Sequence, residues 1–119
     1  MPDAAQVAKQ FLGAWTSGDF DSARSLVHDD LAFEGPIERF NDADSYLASL
    51  RRLGGMVTGA ETRRVFADGD EACVIYDLMT VPVPVSRVCE WYHVRDRRIA
   101  SVSVVFDARP FAALAEAGG

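Results

Sequence analysis

Cysteine and histidine are scarce in this sequence, with two of each in 119 residues. Cys73 and Cys89 are too few for a disulfide scaffold and form no CxxC pair, so two reduced, packed thiols are expected. His28 and His93 lie far apart and belong to no ligand-spaced cluster, which leaves no motif for a metal or another cofactor. Basic charge is also short. Twelve Lys and Arg against 18 Asp and Glu give a net charge of −6, the reverse of the footprint of a nucleic-acid or anionic-membrane binder. No apolar run approaches the ~20 residues a bilayer span needs. The first ten residues, MPDAAQVAKQ, have neither a basic start nor an apolar stretch after it, so no signal peptide is read and a cytoplasmic location is expected.

What the chain does have is 49% apolar residues, enough for one core, and no repeat or linker that would divide it. One domain over residues 1–119 is expected. Helical signals come first. Asp3 and Gln6 form a capping box ahead of Val7, Ala8, Phe11, Leu12 and Trp15, which recur at helical spacing through 3–17. Ser17-Gly18 ends that helix, and Asp19 caps a short one over 20–27. Leu31 to Glu34 reads as a strand, Gly35-Pro36 as a turn, and Ile37 to Phe40 as a returning segment. Asn41 or Asp42 then starts a third helix carrying Tyr46, Leu47, Leu50 and Leu53, which Gly54-Gly55 stops.

Strand signals fill the second half: 62–67, 72–81, 86–94 and 99–106, with turns at Asp68-Gly69-Asp70, Pro82-Val83-Pro84 and Arg95 to Arg98. Asp107 to Pro110 opens a short C-terminal helix. Helices followed by strands predict an α+β fold.

Three segments carry a resemblance: Trp15-Thr16-Ser17-Gly18-Asp19, Asp29-Asp30-Leu31-Ala32-Phe33-Glu34-Gly35-Pro36, and Val94-Arg95-Asp96-Arg97-Arg98-Ile99, with Arg97 where a Gly is common. With the element order, they make the chain similar to the nuclear-transport-factor-2-like superfamily, which includes SnoaL-type polyketide cyclases, ketosteroid isomerase and limonene epoxide hydrolase. The resemblance implies a cystatin-like cone, in which a strongly curved, mostly antiparallel sheet wraps around N-terminal helices and encloses an apolar pocket. It also implies which positions face that pocket: Asp77, Glu90, Tyr92, Val102, Val104 and Phe106 from the strands, with Trp15, Phe33 and Tyr46 as further walls for a small hydrophobic ligand. Gly35 stands where ketosteroid isomerase carries its general base, Phe11 where it carries an oxyanion-hole Tyr, and Glu90 where it carries a protonated acid. For limonene epoxide hydrolase, Asp77 matches one acid, while Ile75 and Val104 stand where an Arg and a second Asp would be.

If the hairpin between the 72–81 and 86–94 strands closes around Val83-Pro84, Asp77 and Glu90 face each other. Two carboxylates sharing an apolar site disfavour double ionisation, so one becomes a general acid and the other a base. The competing reading leaves one of them facing water or paired with an arginine. Tyr76, Trp91 and His93 are expected on the outer sheet face, as a homodimer surface. Three function classes follow: a cofactor-free isomerase, cyclase or dehydratase acting on a compact hydrophobic substrate through Asp77 and Glu90; a non-catalytic ligand-binding or dimerisation module; and a protein–protein adaptor.

Overall fold

In the computed structural model, residues 3–81 and 83–111 are described. Helix α1, Ala4–Thr16, begins on the expected capping box: the Asp3 side chain accepts from the Gln6 N–H and the Gln6 side chain from the Asp3 N–H. Its stripe of Val7, Ala8, Phe11, Leu12 and Trp15 is buried. Gly18, at φ +87°, takes the left-handed conformation after the helix. Asp19 caps α2, Phe20–Ser25, by accepting from the Ser22 N–H. Asp42 does the same for α3, Ala43–Gly54, through the Ser45 N–H at 2.8 Å.

Six strands make one curved, unclosed sheet: β1 Val27–Glu34, β2 Arg39–Phe40, β3 Val57–Asp68, β4 Glu71–Thr80, β5 Ser86–Arg95 and β6 Arg98–Phe106. Their order is β2-β1-β6-β5-β4-β3, all antiparallel except β1 with β6. The ladder shifts register between Val57 and Gly59, between Thr62 and Arg64, and between His93 and Val94, irregularities of the kind that bend strands and raise their twist. The concave face closes over α1 and α3. The core joins Phe11, Trp15, Leu31, Tyr46, Val74, Tyr92, Ile99 and Val102.

Two boundaries differ from the sequence expectation. The strand expected at Leu31 begins at Val27, so Val27 is a core strand residue rather than the end of the second helix. Its first pairing is to Ile99, whose N–H also bonds the Leu26 carbonyl at 2.8 Å. The strand expected at 62–67 extends over Val57–Asp68 because nearly the whole of it ladders with β4. Pro82 and most of the expected C-terminal helix lie outside the described residues; the chain turns helical at 109–111, after Asp107 accepts from the Arg109 N–H.

Candidate functional site

The inner faces of β4, β5 and β6 meet α1 and α3 around a cavity of about 460 Å³. Trp15, Phe33, Tyr46, Tyr76, Phe106 and Phe111 give it aromatic walls, and Leu50, Leu53, Leu78, Val88 and Val104 give it aliphatic ones. Trp15 contributes its ring; the indole N–H is fully buried and makes no hydrogen bond among the described residues.

One buried acid sits in this lining, held by neutral partners. Glu90 lies on the inner face of β5, opposite Val74 of β4 and Val104 of β6, and is buried. The Tyr76 hydroxyl donates to its Oε1, and the Tyr92 hydroxyl donates to its Oε2 at 2.5 Å. Burial pushes the Glu90 carboxyl above the usual range, while the two tyrosine hydrogen bonds pull it back; no cation contributes. The same burial and the nearby Glu90 charge push the Tyr46, Tyr76 and Tyr92 hydroxyls up, so all three stay protonated. Tyr46 stacks on Phe33 at 4.5 Å between ring centroids, and its hydroxyl has no hydrogen bond among the described residues. At the mouth are Ile37, Glu38, Ser49, Arg52 and Met56, where Ser49 donates to Glu38 at 2.9 Å.

Asp77 is not in this cavity. The β4–β5 register pairs Asp77 with Arg87 and Val74 with Glu90. Asp77 therefore lies on the outer face, where it accepts from Arg63 Nε at 2.7 Å and from Arg87 Nε. Arg87 and Arg63 hold its carboxyl below the usual range. The expected facing pair of carboxylates is replaced by one acid inside and one ion-paired acid outside. The hairpin shape explains this. Thr80 locks the turn by donating its hydroxyl to the Val83 carbonyl at 2.9 Å and accepting from the Val83 N–H at 3.0 Å. The chain thus closes earlier than at Val83-Pro84, and an odd shift in register exchanges faces.

Comparison with known proteins gives the family. Residues 8–102 match the family model described as a SnoaL-like domain. The chain belongs to the SnoaL-like family. Among solved structures, one from Kribbella flavida is 31% identical, covers 100% of both chains and superposes with a TM-score of 0.90. An LEH-like epoxide hydrolase from M. tuberculosis is 27% identical over 94% of each chain, with a TM-score of 0.76. An NTF2-like protein of unknown function from Cytophaga hutchinsonii is 21% identical over 94% of this chain and 96% of its own, at 0.83. No curated protein matches the sequence.

Of the residues expected at the pocket of this SnoaL-like domain, Trp15, Phe33, Tyr46, Glu90, Val104 and Phe106 line the cavity. Tyr92 and Val102 stand behind that wall as core residues, and Tyr92 touches the site through its hydrogen bond to Glu90. Tyr76, expected outside beside Trp91 and His93, points inward onto Glu90. It is the main residue that sequence reasoning missed. Alternation puts Tyr76 on one strand face with Ala72, Val74 and Leu78, and the β4–β5 register is what turns that face inward.

Gly35 has a packing reason of its own. A Cβ there would lie 2.8 Å from Val104 Cγ1 and 3.2 Å from the Phe33 ring, both in the cavity wall. Gly35→Ala is expected to destabilise the fold by about 1–3 kcal/mol through overpacking. Adding Val104→Ala should recover part of that loss in denaturant titrations; no recovery would mean that the clash lies elsewhere.

Among the described residues, no group of three or more His, Cys, Asp or Glu is placed to hold a metal, and no helix is long and apolar enough to cross a membrane.

Proposed function

We propose that this SnoaL-like domain binds a compact hydrophobic molecule inside the cone, with the molecule's single polar group directed at Glu90 and Tyr46. Supporting this reading most directly is a buried carboxyl, held by two tyrosine hydroxyls, in the wall of an otherwise apolar cavity. As a proton acceptor, Glu90 suits a cofactor-free isomerase, cyclase or dehydratase step. In such a step a substrate proton moves to Glu90 while Tyr76 and Tyr92 keep their hydrogen bonds to it. The second reading is a non-catalytic ligand-binding module. It is favoured by the position of Asp77 on the outer face, which keeps the expected partner of Glu90 out of the cavity and leaves Glu38, exposed at the mouth, as the other lining carboxylate. Epoxide opening, the activity named for one relative, is less well supported: Ile75 stands where the resemblance asks for an Arg, and Val104 where it asks for an Asp.

The test is a binding screen of compact hydrophobes, each with one carbonyl, hydroxyl or amino group, followed by a structure of the complex. The ligand is expected in the cavity, with affinity falling about tenfold or more in Glu90→Gln, as loss of a hydrogen bond to a charged group implies. Ligands that bind elsewhere, or bind Glu90→Gln equally well, would overturn the assignment. Any turnover found in the screen should track Glu90 ionisation in its pH profile if Glu90 is the base.

We also propose a homodimer through the outer sheet face. Register aligns Phe66, Cys73, Trp91 and Ser103 across four strands, and Phe66, Trp91 and nearby Val105 are 59%, 56% and 68% exposed. Such a continuous exposed apolar face usually marks an interface. Trp91→Glu is expected to shift sedimentation from dimer to monomer; a variant that stays dimeric removes this face from consideration.

A further inference from the structure

We propose that the ligand of the cavity is a protonated amine whose ammonium group seats between Glu90 and the Tyr46 hydroxyl, with its carbon skeleton against the aromatic walls. This rests on the cavity reading above and narrows its chemistry. Both Glu90 oxygens already accept from tyrosine O–H groups, which fits the ionised form. An ionised carboxylate only accepts, so the oxygen of a carbonyl ligand would meet it lone pair to lone pair. The group arriving from the cavity must donate. A hydroxyl donates once; an ammonium has three N–H groups, able to serve Glu90 and the Tyr46 hydroxyl together.

Charge points the same way. Tyr76 and Tyr92 are neutral donors, and among the described residues no Arg, Lys or His pairs with Glu90. A buried charge without a counter-ion is costly, and a ligand cation would remove that cost. The rings of Trp15, Phe33, Tyr46, Phe106 and Phe111 line the cavity, and a cation that seats over a ring face gains an attraction that a neutral ligand does not. The mouth carries one charge of each sign, Glu38 and Arg52, so it sets no net barrier to a cation.

The experiment is calorimetric titration of the full chain at neutral pH with three molecules of one skeleton: α-methylbenzylamine, α-methylbenzyl alcohol and acetophenone. The cyclohexyl analogues make a second series. The amine is expected to bind about tenfold or more tightly than the alcohol, with the ketone weakest, and Glu90→Gln should abolish that ranking. An alcohol or ketone that binds the wild type as tightly as the amine overturns the amine assignment and leaves the cavity reading standing. Wild type that binds no member of either series overturns the cavity reading as well. An amine preference that survives in Glu90→Gln overturns the pairing with Glu90. The wild-type ranking decides the chemistry even if that variant fails to fold.

Discussion

Tyr46→Ala is expected to cost about 3–5 kcal/mol of stability, the scale of truncating a buried aromatic side chain. Tyr46 is 2% exposed and is the hub of a ring cluster: it stacks on Phe33 at 4.5 Å, lies 6.1 Å from Phe11, and lies 6.4 Å from Phe40. These contacts tie α3 to α1, β1 and β2, so removing the ring loosens the helix that roofs the cavity. Tyr46→Phe separates this packing role from the hydroxyl's role. The rings remain, and the hydroxyl has no hydrogen bond among the described residues to lose. Stability within about 1 kcal/mol of wild type is therefore expected for Tyr46→Phe, together with weaker ligand binding. Denaturant midpoints read the first effect and titration the second. A Tyr46→Ala protein as stable as wild type would show that the ring cluster carries little of the fold.

The second large effect is in pH. Glu90 has a raised carboxyl pKa in the folded chain against an ordinary one near 4.5 when unfolded. The folded state therefore holds that proton more tightly. The stability this confers is fully present below the unfolded value and is lost as pH rises through the folded one. Each pH unit of separation corresponds to about 1.4 kcal/mol. Wild type should thus lose stability relative to Glu90→Gln as pH climbs from 4.5 toward neutrality. Asp77 runs the other way. Its carboxyl is held low by Arg87 and Arg63, so its contribution is present above the unfolded value of 3.8 and fades as pH falls through the folded one. Melting temperatures of wild type, Glu90→Gln and Asp77→Asn across this range separate the two. A Glu90→Gln difference that is flat with pH would mean that Glu90 titrates as an ordinary carboxyl.

These opposite behaviours also mark where the sequence was legible. Capping residues write their own structure, because Asp3, Asp19 and Asp42 each satisfy a helix N–H three residues on; those helix starts were readable. So was the α+β class, from the order of helices and strands, and the cone followed from the resemblance carried by segments such as Asp29 to Pro36. The β4–β5 register was not. Both faces of β4 are largely apolar, so alternation shows that Tyr76 and Asp77 face opposite ways without showing which one faces in. The answer depends on how Thr80 and Val83 close the turn and on the presence of two arginines, one from each neighbouring strand, to cover Asp77. Those are contacts across space, and local pattern does not carry them.

The parallel pairing of β1 with β6 has a consequence for the order of assembly. β1 finds its partner in β6, with Phe33 beside Val102, and no other pairing joins β1–β2 to the remaining strands. During synthesis, β1 and β2 with the three helices, and the β3–β4–β5 meander, are made as two halves that share no ladder. Until residues 98–106 emerge, the inner edge of each half is open and the cavity has one wall missing. Pairing so distant in sequence closes slowly. A chain stalled before β6 would expose two open strand edges at once, and for such a chain aggregation competes directly with folding.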